Sequence, residues 1–178
     1  MKKIGIVICI SITICIGIAT SIYYTLDNVE ISPNIEEEVL LETNEDLKWE
    51  LSIPKIYLEK VSIEEGVGKE ILERSIGHFS NTSITGGNVC LASHNRAEKG
   101  MYFKDLDKLK IGDKIIYSTF YEKFEYEIYE IEKIKDTNVD VLNPSDINIL
   151  TLITCIENSP HLRLCIKAKE VEKIEEDY

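Results

Sequence analysis

Several absences narrow the chemistry before any motif is read. The 178 residues contain no CxxC, no HExxH and no paired Cys/His spacing of the zinc type, so no metal site has a ligand set to build on. GxGxxG and Walker patterns are missing too, which removes the backbone cradles of dinucleotide and nucleoside-triphosphate sites. Positive charge is scarce: 20 Lys+Arg face 32 Asp+Glu, a net of -12. A surface that neutralises phosphates needs the opposite balance, and nucleic acid is excluded as a partner. There is no internal repeat, and the length suits one domain with an appendage rather than two domains of ~100–200 residues.

The shortage of charge is sharpest at the N-terminus. Ile4 to Leu26, 23 residues, carry no Asp, Glu, Lys, Arg or His; as a helix they reach ~34 Å and cross a hydrocarbon core of ~30 Å. Lys2 and Lys3 precede this run. By the positive-inside rule the N-terminus stays in the cytoplasm and the remainder lies outside. A cleaved signal peptide is the competing reading, since Ala19-Thr20-Ser21 offers small residues for cleavage, but the run exceeds the usual ~7–15 residue signal core. Cys9 and Cys15 follow Ile8 and Ile14, not the small residue a lipoprotein signal wants, and read as apolar helix residues.

Residues 27–46 hold eight acids, no Lys or Arg, and Pro33. They bury too little to fold alone and read as a tether spanning ~25 Å as a flexible coil. The expected organisation is a membrane anchor over 1–26, a tether over 27–46 and a folded domain over 47–178.

Within that domain the dominant pattern is alternation. Trp49, Leu51 and Ile53 alternate with polar residues until Pro54, as in a first or edge strand. Lys114–Ser118 and Phe124–Ile134 flank 119–123 as a hairpin. In the second arm the apolar phase shifts from Phe124, Tyr126 and Ile128 to Tyr129 and Ile131, predicting a bulge at Ile128–Tyr129. Asn88–Ser93, Ile149–Thr154 and Leu162–Val171 have strand character, Glu70–Ser75 and Met101–Leu109 each suit a short helix, and His78 falls in a loop. Many short strands and little helix indicate an all-β barrel or sandwich.

Candidates for chemistry are few: His78, His94 and His161; Arg74, Arg96 and Arg163; and, outside the apolar run, Cys90, Cys155 and Cys165. Cys155 ends the run Ile149-Leu150-Thr151-Leu152-Ile153-Thr154, His94 ends Asn88-Val89-Cys90-Leu91-Ala92-Ser93, and Arg163 opens the last strand. Two strand ends and one strand start can meet at one rim of a barrel. Physics alone leaves the alternatives open, because a free Cys is commonly a small buried hydrophobe. Cys90 and Cys165 could pair in an exported protein, with reduced thiols the preferred reading. His161, beside Pro160, reads as a solvated loop residue and Arg96 as a surface charge.

Thr151-Leu152-Ile153-Thr154-Cys155, with His94 before it and Arg163 after it, resembles the signature of sortases, the membrane-anchored cysteine transpeptidases of Gram-positive surfaces. Leu51-Ser52-Ile53-Pro54-Lys55-Ile56, Ser75-Ile76-Gly77-His78-Phe79 and Leu109-Lys110-Ile111-Gly112-Asp113-Lys114-Ile115 extend the similarity over most of 49–172. The resemblance implies a closed eight-stranded β-barrel with a few short helices, preceded by one transmembrane helix. It implies Cys155 as nucleophile, His94 as acid and base, and Arg163 as oxyanion partner, with Ala92, Ser93 and Thr154 contacting substrate. The implied partners are sorting-signal peptides of LPxTG type and a cell-wall precursor amine, with a thioester on Cys155 between them.

Ser93 stands where many sortases have Gly, which would narrow the cleft without removing a reactive group. A pilus-type lid and a C-terminal membrane segment are not seen, which favours a class D-like or class A-like member. No cofactor is expected; some members bind calcium, but no acidic cluster here names its ligands. Residues Lys135–Asn148 are the expected specificity loop by analogy. An exported papain-like peptidase would place Cys before His, the reverse of the order here. An L,D-transpeptidase would need His and Gly close to the thiol, and a non-catalytic envelope-binding β-domain would tolerate Cys155→Ala.

Overall fold

The computed structural model describes residues 48–96 and 99–174. The expected anchor and tether, 1–26 and 27–46, lie outside these residues. Among the described residues no helix is long and apolar enough to cross a membrane.

Eight strands form a closed barrel: β1 (Glu50–Ile53), β2 (Leu58–Glu65), β3 (Ile76–His78), β4 (Asn88–Ala92), β5 (Lys114–Ser118), β6 (Lys123–Lys135), β7 (Ile149–Ile156) and β8 (Ser159–Ile174). Around the barrel the order is β1-β2-β3-β4-β7-β8-β6-β5, closed by antiparallel pairing of β1 with β5. Closure leaves no central strand with an unpaired edge.

Alternation writes the interior. Leu51 and Ile53 of β1, Ile115 and Tyr117 of β5, Tyr126 and Ile128 of β6, and Leu150 and Leu152 of β7 are buried in one core. Each such side chain contributes roughly 1.5–3 kcal/mol by leaving water. The polar ends of the core aromatics are satisfied: Trp49 Nε1 donates to Tyr117 Oη at 2.8 Å, and that hydroxyl donates to the Ile84 carbonyl at 2.7 Å.

The β5–β6 hairpin forms as predicted, and the bulge falls between Ile128 and Glu130, where β6 shifts register against β8. Several boundaries differ from expectation. The helix expected at Glu70–Ser75 is one turn, α1 (Lys69–Leu72), and Met101–Leu109 is a series of turns with a single 3-10 turn at Leu106–Lys108. The last strand is longer than expected, running from Ser159 to Ile174.

Two strands were not anticipated, for different reasons. In β2, Glu59 and Lys60 are both exposed where Lys60 takes φ +47, and this kink breaks the alternation. In β3 all three residues are buried, so no polar face marks the strand. His78, expected in a loop, is its last residue; the lack of a side chain at Gly77 lets β3 pack close to α1, since a Cβ there would collide with the Gly66 carbonyl and Leu72.

Candidate active site

Strand direction brings the three expected residues to one end of the barrel. β4 and β7 run parallel, with Ala92 beside Ile153, so His94, two residues past Ala92, follows β4 out at the level where β7 carries Cys155. β8 returns antiparallel and sets Arg163 directly opposite Cys155. A tight turn at Glu157 and Asn158, with Asn158 at φ +58, makes this short return possible. Cross-strand partners project to the same face with Cβ atoms ~4.5–5.5 Å apart, so the thiol and the guanidinium stem share one surface.

That surface is the outside of the barrel. Along β7, Leu150 and Leu152 enter the main core, whereas Ile153 joins a second apolar cluster with Ile134, Val141 and Cys165, against which Phe79 and Leu142 pack. Residues 136–148 cover this cluster through Val141 and Leu142. They are strapped down by Asn88, whose Nδ2 donates to the carbonyls of Val141 and Asn143, both at 2.9 Å, while its Oδ1 accepts from Thr151 Oγ1 at 2.8 Å. The cover ends before Cys155, which is exposed.

The other two thiols lie beneath the cover. Cys90 and Cys165 are both 0% exposed, and burial pushes them up to about 11 and about 12. Both are free. The whole of β7 lies between them, a separation of two strand spacings, ~9.5 Å, which exceeds disulfide reach. Cys165 shares the face of Arg163, as its spacing predicts, but buried.

The histidines divide as sharply. His78 is 1% exposed; its Nδ1 lies 2.9 Å from Glu65 Oε2, and its Nε2 lies 3.0 Å from both the Ser83 carbonyl and Thr82 Oγ1. Trp49 packs on its ring at a centroid distance of 5.2 Å. Every polar atom of His78 is therefore committed to the fold. His161 is the third residue of β8 rather than part of a loop, and is exposed, 3.6 Å from Asp136. His94 is half-buried at the barrel end.

Arg163 is half-buried, and its Nη1 donates to the Pro160 and Leu162 carbonyls, both at 2.8 Å. Among the described residues nothing takes its Nε or Nη2 protons, so much of the fork remains for a ligand. Ala92 is half-buried at the end of β4. Ser93 and Thr154, expected to touch substrate, are buried at 4% and 2%. Ser93 Oγ donates to the Gly100 carbonyl at 3.0 Å, and Thr154 Oγ1 to the Ser93 carbonyl at 2.8 Å. Their hydroxyls brace the strand ends.

Arg96 is the exposed surface charge it was read as, but sequence reasoning missed Asn95 and Glu157 and the contacts that join the His94 segment to β7. Asn95 Nδ2 donates to the carbonyl of Cys155 at 2.9 Å, and Arg96 Nη1 meets Glu157 Oε1 at 2.6 Å. Position within two residues of His94 or Cys155 was the available signal; the pairing across 60 or 61 residues was not. Gly100 was missed as well. It has φ +69, and a Cβ there would strike the Leu72 carbonyl.

A groove of about 440 Å³ at the same end of the barrel is lined by Ile56, Leu58, Val61, Met101 and Tyr102 among others. It includes none of His94, Cys155 and Arg163. Among the described residues no group of three or more His, Cys, Asp or Glu could hold a metal ion.

The family model for the sortase domain matches residues 51–171. The chain belongs to the sortase family. It is 30% identical over 106 residues to Sortase A of Bacillus anthracis, covering 60% of this chain and 50% of that protein. It is 33% identical over 89 residues to Sortase A of Listeria monocytogenes, covering 50% and 40%. The match therefore spans about half the length of these curated relatives or less. Among solved structures, a Clostridium perfringens Sortase D5 transpeptidase superposes with a TM-score of 0.64 at 35% identity, covering 80% of this chain and 91% of that one. Sortase A of Listeria monocytogenes superposes with a TM-score of 0.64 at 25% identity, covering 72% and 91%. This sortase thus has the closed barrel of its family, with Cys155 uncovered at one end.

Proposed function

We propose that this sortase is a membrane-anchored cysteine transpeptidase that cuts an LPxTG-like sorting signal and transfers the released protein to an amine of a cell-wall precursor. The observation that carries the reading is the direct pairing of Cys155 with Arg163 at the end of the barrel where β4 delivers His94.

In this mechanism the Cys155 thiolate attacks the carbonyl carbon of the scissile bond. Negative charge grows on the carbonyl oxygen, and the spare donors of Arg163 stabilise it. His94 in its protonated form gives its proton to the leaving amine as the C–N bond breaks, and a thioester remains on Cys155. An acceptor amine then attacks the thioester carbon and loses its proton to His94, and Cys155 leaves as thiolate. Ala92, at the cleft edge, contacts the peptide, while Ser93 and Thr154 hold the cleft in shape.

A class D-like assignment is supported by 35% identity across 91% of the Sortase D5 structure. The charge-free run Ile4–Leu26 behind Lys2 and Lys3 supports an anchor with the N-terminus cytoplasmic and the barrel outside. Incubation with a library of LPxTG-like peptides and an amine acceptor tests the function. A thioester should be trapped by mass spectrometry on wild type and be missing from Cys155→Ala; no adduct on wild type, or the same adduct on the variant, refutes it.

A further inference from the structure

His94 owes its place beside Cys155 to its neighbours. Among the described residues nothing hydrogen-bonds its ring, so no carboxylate or carbonyl of these residues orients the imidazole, and its position follows from its backbone. That backbone is pinned on both sides to the strand that carries the thiol. On one side the Ser93 N–H reaches the Ile153 carbonyl at 3.4 Å, and the Ser93 carbonyl accepts Thr154 Oγ1 at 2.8 Å. On the other, Asn95 Nδ2 donates to the carbonyl of Cys155 itself at 2.9 Å, and Arg96 meets Glu157 at 2.6 Å. The β4–β7 ladder stops at Ala92 and Ile153, so these contacts continue a pairing that the regular ladder has ended. The His94 carbonyl is held from behind by the Phe103 N–H at 3.2 Å.

We infer that Asn95, backed by the Arg96–Glu157 pair, is a positioning residue that ties the peptide of the nucleophile to the residue after the general base, so that thiol and imidazole keep one spacing. The inference deepens the transpeptidase reading and rests on the roles given there to His94 and Cys155. A neutral amide suits the task. It donates to a carbonyl without bringing a charge beside the thiolate, whereas a carboxylate would face the carbonyl with no proton to give. The Asn95 and Arg96 contacts are at the surface, where a lost bond costs little global stability. A displacement of ~1 Å between reacting groups, by contrast, costs ~10²-fold in rate.

The test compares full-length wild type with Asn95→Ala, Asn95→Asp, Asn95→Gln and His94→Ala. One readout is the pH profile of Cys155 alkylation by iodoacetamide, resolved by peptide mass spectrometry, which needs no substrate. The other is kcat and KM for a sorting-signal peptide. Asn95→Ala and Asn95→Asp should move the alkylation profile toward that of His94→Ala and lower kcat by ~10²-fold with KM held within ~2-fold, and Asn95→Gln should recover part of the loss. Arg96→Glu and Glu157→Arg should each lower kcat by less, and the double exchange should recover it. A wild-type profile and kcat in Asn95→Ala overturn the inference, as does a His94→Ala profile that coincides with wild type. Should Asn95→Ala melt early, the charge exchange decides, and failure of the double variant to recover overturns the inference. A wild type that turns over no peptide sinks the transpeptidase reading alone, because the alkylation profiles still judge the clamp.

Discussion

The outer face of β7 and β8 carries two regions built from the same kinds of residue and put to opposite use. In the middle, Cys165 pairs with Ile153 beneath residues 136–148, and burial raises its thiol to about 12. One step along, Cys155 pairs with Arg163 past the end of that cover and is exposed. A shift of two residues separates an inert thiol from an accessible one beside a fixed cation. Reactivity here is a matter of where the cover stops. The histidines repeat the lesson: His78 has both ring nitrogens committed within the core, while His94 stands at the barrel end with its ring free among the described residues.

The largest expected effect is at the uncovered thiol. Cys155→Ala should abolish turnover, a loss of ~10⁴-fold or more, whereas Cys165→Ala should keep kcat per folded molecule; single-turnover assays on both variants make the contrast. Next comes the cation. Arg163→Lys keeps the charge but loses the fork, and kcat should fall ~10²-fold with the melting temperature little changed.

His78→Ala should do the reverse. It strips partners from Glu65 and Thr82, costing about 2–3 kcal/mol in chemical denaturation while kcat per folded molecule is retained.

Asn88→Ala probes the cover itself. Loss of its bonds to Val141, Asn143 and Thr151 should let residues 136–148 open more often and raise Cys165 alkylation by ~10-fold with little change at Cys155.

The smallest effect concerns acid. Burial pushes the Glu65 carboxyl up, but hydrogen bonds with Ser80 and His78 together outweigh it and hold the carboxyl below its usual value. A depressed folded-state value means stability that is present above the ordinary carboxyl value of about 4.5 and lost as pH falls through the lower folded one. Glu65→Gln should therefore flatten that acid limb in a pH series of denaturation curves.

Much of the barrel was legible because half-buried strands alternate. β1, the β5–β6 hairpin and its bulge could be read from Trp49 to Ile53 and from Lys114 to Ile134. β3 was not, since Ile76, Gly77 and His78 are all buried and no polar face survives; nor was β2, where the kink at Lys60 breaks the period. At the site, Cys155, His94 and Arg163 were visible as strand ends in the right order. The bonding of their neighbours was not: Ser93 and Thr154, substrate contacts by the resemblance, have hydroxyls that close hydrogen bonds within the fold. The Arg96–Glu157 pair joins residues 61 apart, a relation only the parallel pairing of β4 and β7 creates.

Peptide-mapped mass spectrometry of the full chain after a single exposure to a sorting-signal peptide without acceptor amine tests the central claim most directly. The account predicts one acyl group, on Cys155, absent from Cys155→Ala and released by adding an amine. An acyl group on Cys90 or Cys165, or one that persists in Cys155→Ala, would contradict it.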